Sequence, residues 1–139
     1  MIKNLRKRLK DQKGLTLIEL LAVIVILGII AAIAIPSIGG LINKTEDDAK
    51  VAEGIQIINA AKLYTTSNAP KGGEELTKTE LSDYLDNIND DSYKVTITKH
   101  DTTGKYSYSL SNHNSVKLVG GKDATSVSED ELLSKDTDE

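Results

Sequence analysis

Cysteine, tryptophan and phenylalanine are missing from this 139-residue chain, and proline and histidine occur only twice each. Without cysteine there is no disulfide framework, no thiolate metal site and no cysteine nucleophile, whatever compartment the chain occupies. Its fold must therefore hold by packing. The two histidines, His100 and His113, sit beside predicted turns with no second metal ligand at helical or strand spacing, so both are expected as solvent-exposed turn residues. No nucleophile elbow, phosphate loop or zinc signature is present, and the chain reads as a non-enzyme with no cofactor. At this length one folded domain is expected.

Charge of one sign is scarce where it counts. The formal net charge is −4, yet residues 1–14 carry Lys3, Arg6, Lys7, Arg8, Lys10 and Lys13 against Asp11 alone, so that segment is +5 and the remainder is −9. A remainder that acidic has no general attraction for nucleic acid, and none is expected as a partner of the isolated chain. Polar residues are equally scarce from Leu15 to Ile35, where Thr16 and Glu19 are the only clear ones. That run suits one membrane-spanning helix of about 20 residues. Lipid forces its backbone hydrogen bonds to close internally, which overrides the low helix propensity of its β-branched residues.

The order of these features matters. A secretory signal places its small-residue cleavage site after the apolar core, whereas Gly14 lies before it, so the apolar helix would survive removal of a basic leader at residues 1–14. Basic residues on the N-terminal flank predict a single pass with a cytoplasmic N-terminus and an external C-terminus. Pro36 removes a backbone donor and Gly39 and Gly40 loosen the helix, so a kink is expected there and residues 15–40 form one segment.

Residues 41–121 read as a head. Val51, Ala52, Ile55, Ile58, Ala61 and Tyr64 predict the apolar face of an amphipathic helix continuing to about Thr66. Thr77 and Glu80 form a capping box for a short helix carrying Leu81, Tyr84, Leu85 and Ile88. Three strands are expected: Tyr93, Val95 and Ile97; Tyr106, Tyr108 and Leu110; then Val116 and Leu118, each alternating with polar residues. With turn residues at 101–104 and 112–114, they predict a three-stranded antiparallel meander packed on the helix, an α+β fold. Alternation puts Tyr93, Tyr106 and Tyr108 in the core rather than on a stacking platform. Asn87, Asn89 and Asp91 offer oxygen ligands, but the glycine and terminal glutamate of an EF-hand loop are missing, so loop 86–91 reads as solvated rather than calcium-binding. Residues 122–139, rich in Asp, Glu, Ser and Thr, are expected to be a mobile acidic tail with at most one helical turn at Ser128–Leu133.

The residues Lys13-Gly14-Leu15-Thr16-Leu17-Ile18-Glu19-Leu20, with the apolar run to Ile35 and then Pro36, resemble the prepilin signature of type IV pilins and pseudopilins. Glu19 is the fifth residue counted from Leu15 and Pro36 the twenty-second, as in that family. The resemblance implies the pilin fold, cleavage between Gly14 and Leu15 by a membrane-embedded prepilin peptidase, and N-methylation of Leu15 by the same enzyme. It further implies extraction from the membrane lipid by an assembly ATPase and an inner-membrane platform protein, and assembly of identical copies into a helical filament on the cell surface. Glu19, a carboxylate costing about 3 kcal/mol inside a membrane segment, would then pair with the amino group of Leu15 in a neighbouring copy, and Pro36 would serve assembly.

Three readings follow. The first is a pilus subunit for adhesion, motility or biofilm formation. The second is a pseudopilin of a type II secretion or DNA-uptake system, against which stands the poor calcium loop, since secretion pseudopilins commonly carry such a site. The third is a signal-anchored external domain that never polymerises.

Overall fold

The computed structural model describes residues 1–137 and divides into two compact units, Met1–Asn43 and Lys44–Glu139. The first unit is helix throughout, the N-terminal part of α1 (Ile2–Asn68). Pro36 lies inside that helix, and so do Gly39 and Gly40, so the helix does not end there. Proline has no N–H to offer the carbonyl one turn back, at Ala32, and the surrounding hydrogen bonds carry the helix across. Every large apolar residue of this unit is exposed: Leu15 66 %, Ile26 56 %, Ile33 71 %.

The second unit has a core. Its sheet is antiparallel, in the order β1 (Glu74–Leu76), β2 (Lys94–Lys99), β3 (Tyr106–Ser111), β4 (Ser126–Ser128). Register sets Leu76 opposite Val95, Val95 opposite Leu110 and Leu110 opposite Val127, so one row of four buried side chains crosses all four strands. Tyr108 and Ile97 pair in the next buried row. The C-terminal part of α1 buries Val51, Gly54, Ile57, Ile58, Ala60, Ala61 and Thr65 in the same core, at the spacing of three and four that one helix face requires. Each fully buried leucine, isoleucine or valine is worth about 1.5–3 kcal/mol relative to exposure.

The expected helix face is rotated. Ala52 is exposed and Ile55 and Tyr64 are only partly buried, while Gly54, Ile57 and Ala60 are buried instead. The reason is close approach at Gly54, where a Cβ would stand 2.7 Å from Ser115 Oγ, 3.2 Å from Leu110 Cδ2 and 3.3 Å from Leu132 Cδ2. A glycine adds no hydrophobicity to a helical pattern, so the face that contains it is under-weighted in the sequence.

The expected three strands become four, and two assignments change. Asn114–Gly120 is a helix, α3, not a strand: Val116 is buried, and His113 caps the helix by accepting the Ser115 N–H at Nδ1, 3.2 Å away. His113 is thus buried, against the expectation of an exposed turn residue, while His100 is exposed as expected. Strand β1 falls within the stretch after the Gly72-Gly73 turn, where the Gly73 N–H donates to the Ile97 carbonyl at 2.7 Å.

The tail is a second correction. Residues expected to be mobile supply β4 and then α4 (Glu129–Thr137), with Val127 and Leu132 almost completely buried. Glu131 closes a capping box, its carboxylate accepting the Ser128 N–H at 2.7 Å while its own N–H donates to Ser128 Oγ at 3.3 Å. The Ser128 N–H, and the Ser128 hydroxyl donating to the same carboxylate at 3.0 Å, lower the Glu131 pKa. Lys62 of α1 forms an ion pair with Glu129 at the start of α4. The box expected at Thr77 is present, with the Glu80 carboxylate accepting the Thr77 N–H at 2.7 Å ahead of α2 (Lys78–Leu81). Tyr93 and Tyr108 are in the core, and Tyr106 is half-buried with its hydroxyl donating to the Pro70 carbonyl at 2.9 Å.

Candidate processing and assembly site

The residues singled out in the sequence fall on one continuous stretch of helix. Gly14 lies inside α1 with nothing within 4 Å of the place a Cβ would occupy, so the Gly14–Leu15 bond is open on that side. Leu15 is 66 % exposed, and Glu19, one helical turn further on, is exposed on the same side of the helix. Among the described residues no hydrogen bond or ion pair engages the Glu19 carboxylate. Pro36 lies 17 residues beyond Glu19, at about 25 Å for a helical rise of 1.5 Å per residue. Gly14, Leu15 and Glu19 are therefore brought together, and Pro36 is not.

Cutting after Gly14 would have a defined local consequence. It would create an amino terminus at Leu15 and strip the first backbone N–H groups of the remaining helix of their acceptors, leaving a positive helix end one turn from Glu19. Thr16 belongs to this site although the sequence reading gave it no role. Its hydroxyl is shared between the carbonyls of Gln12 at 3.2 Å and Lys13 at 3.0 Å, both of which lie before the candidate cleavage bond. The signal available in advance was a hydroxyl residue two positions beyond a candidate cleavage site.

From Leu15 to Ile35 only Thr16 and Glu19 break the apolar surface of the helix. It is the one helix among the described residues long and apolar enough to cross a membrane, and none of its apolar window is buried.

The head contains a serine–histidine–carboxylate array that deserves a chemical test. His113 Nδ1 lies 2.7 Å from Ser115 Oγ, and His113 Nε2 lies 3.5 Å from Glu53 Oε2 without forming a hydrogen bond. Nδ1 accepts the Ser115 N–H, so the neutral ring carries its proton on Nε2, facing the glutamate. Ser115 is completely buried against Gly54, with no path for a substrate to its oxygen. The array caps α3 and joins it to α1; it is not a nucleophile site. In loop 86–91, Asp90 accepts from the Ser92 N–H at 2.9 Å and hydroxyl at 2.7 Å, and Asp91 is paired with Lys78. Burial works against ionisation of Asp90, and the two Ser92 bonds outweigh it, lowering its pKa. Among the described residues no group of three or more His, Asp or Glu is placed to hold a metal ion.

Residues 9–35 match the family described as the prokaryotic N-terminal methylation motif. The chain is 41 % identical over 61 residues to the type IV major fimbrial protein FimA of Dichelobacter nodosus, covering 44 % of this chain and 36 % of that protein. It is 33 % identical over 63 residues to the type II secretion system core protein G of Vibrio cholerae, covering 45 % of this chain and 43 % of that protein. The corresponding protein of Aeromonas hydrophila is 37 % identical over 59 residues, 42 % of this chain and 41 % of its own. The chain thus matches well under half the length of these curated relatives, and no solved structure matches it. Over its N-terminal segment, with Gly14, Leu15 and Glu19 inside the methylation motif, the chain is similar to type IV fimbrial and type II secretion core proteins.

Proposed function

We propose that this chain is a structural subunit of a type IV pilus, cleaved after Gly14, N-methylated on Leu15 and polymerised into a surface filament for adhesion, motility or biofilm formation. The observation that carries the reading is the exposed apolar helix from Leu15 onward, interrupted by the single carboxylate of Glu19. Before assembly, lipid covers that surface, with the N-terminus cytoplasmic and the head outside. In the filament, the helices of other copies cover it, and Glu19 neutralises the amino terminus of a neighbour's Leu15. Exchanging lipid for protein around a buried carboxylate is favourable when a cation comes with the protein.

The reading requires a prepilin peptidase that also methylates, an assembly ATPase and a platform protein in the cytoplasmic membrane. A second reading, a pseudopilin of a secretion or DNA-uptake machine, is supported by the similarity to core protein G, of which the matched segment covers a larger share than it does of FimA. Electron microscopy of sheared surface filaments, labelled with antibody to residues 44–137, separates the two. Long fibres labelled along their length, and lost on deletion, support the pilus. Label confined to the envelope or to short fibres supports the pseudopilin.

A further inference from the structure

The basic leader is more than a run of charge. It is helical, and at 3.6 residues per turn Ile2, Leu5 and Leu9 fall within about 60° of one another on its circumference. These three side chains are 73 %, 64 % and 54 % exposed. Arg6 and Lys13 border the apolar stripe on one side and Arg8 on the other, while Lys3, Lys7 and Lys10 lie further round with Asp11. An apolar stripe edged by cations with long aliphatic stems is the pattern of a helix that lies in a lipid interface, its stems covering acyl chains and its charges among headgroups.

A straight continuation of the spanning helix would waste this pattern. Leu5 would stand about 15 Å beyond Leu15 at 1.5 Å per residue, whereas the headgroup layer is only about 5–8 Å deep on each side. Gly14 lies at the junction, with no side chain and open space around it, and is the cheapest place in the segment for the helix to turn.

In the structure α1 runs unbroken through Gly14; we propose that on an anionic lipid surface the helix turns there, so that residues 2–13 lie along the surface as a basic amphipathic helix with Ile2, Leu5 and Leu9 facing the acyl chains. The occupant of the stripe is lipid because the stripe adjoins the membrane span directly and six cations surround it. The proposal rests on the reading of Leu15–Ile35 as a span. It would hold the Gly14–Leu15 bond at the lipid–water boundary, bent out of regular helix.

The absence of cysteine makes the test clean. Leu9→Cys, Asp11→Cys and Ile26→Cys are each spin-labelled in the full-length, uncleaved chain and reconstituted into vesicles of phosphatidylglycerol and phosphatidylethanolamine, or of phosphatidylcholine alone. Accessibility to oxygen and to a water-soluble nickel chelate is then read from the spectra. The expected result in anionic vesicles is a severalfold higher oxygen-to-nickel ratio at position 9 than at position 11, with the contrast collapsing in phosphatidylcholine. Equal nickel access at 9 and 11 in anionic vesicles, with position 26 in lipid, overturns the interfacial helix alone. A contrast that persists undiminished in phosphatidylcholine overturns the role of anionic headgroups. Nickel access at position 26 overturns the span itself, and the proposal with it.

Discussion

Two stretches of this chain use the same side chains to opposite ends. Between Leu15 and Ile42 the leucines, isoleucines and valines are all exposed, whereas in the head Leu110, Ile97, Val95 and Leu132 are completely buried. The head satisfies its apolar surface within the chain, through one helix face, a four-stranded sheet and three short helices. The apolar side chains of the N-terminal unit lie exposed, and on the proposed reading lipid or other copies cover them. On the proposed reading, stability belongs to the head and assembly to the N-terminal helix, and substitutions should separate the two.

The largest separation is expected at Glu19. Glu19→Ala should insert and be cleaved normally while incorporation into filaments falls by at least tenfold, scored by immunoblot of the sheared surface fraction against whole cells. The melting of the head should not change. Filament yield equal to the unsubstituted chain would remove the charge-pairing account.

Leu132→Ala is the converse experiment. It removes a fully buried side chain from α4 and should destabilise the head by about 2–5 kcal/mol, measured by denaturant unfolding of the detergent-solubilised chain, with membrane insertion unaltered. A loss within experimental error would mean that the C-terminal helix is not part of the core. Gly54→Val should cost about 1–3 kcal/mol by overpacking, because its Cβ alone would lie 2.7 Å from Ser115 Oγ. The same change at Gly28, where nothing lies within 4 Å, should leave head unfolding unchanged.

The smallest effect is that of pH. Hydrogen bonds from Ser128 lower the Glu131 pKa, and those from Thr77 lower that of Glu80. A carboxylate depressed in the folded state adds stability that is present above its unfolded value and disappears as pH falls through its folded value. Both helix starts should therefore loosen only below the ordinary carboxylate range, as faster amide exchange at Ser128 and Thr77 on acidification. In Glu131→Ala the acid-induced change at Ser128 should vanish and the change at Thr77 remain.

What the sequence made legible follows from the strength of each local pattern. The apolar run, the lone Glu19 and the basic leader stand out because lipid imposes length and polarity with few exceptions. Strands β2 and β3 alternate over six residues each, and the box at Thr77 and Glu80 has a fixed spacing. Strands β1 and β4 were hidden because each has three residues and buries only one, Leu76 and Val127, with neighbouring strands supplying the rest. Val116 and Leu118 alternate like a strand, but the His113 cap turns the segment into a helix, and capping by histidine carries no strong sequence signal. In the candidate site, Gly14, Leu15 and Glu19 were singled out by their resemblance to the prepilin signature, while the tie from Thr16 to the carbonyls of Gln12 and Lys13 is visible only in the structure.

The most direct measurement is the intact mass of the chain recovered from sheared surface filaments. The account predicts a polypeptide beginning at Leu15 and carrying one added methyl group, as the principal component of the fibres. A chain that begins at Met1, or that stays in the membrane fraction and is missing from the fibres, would contradict it.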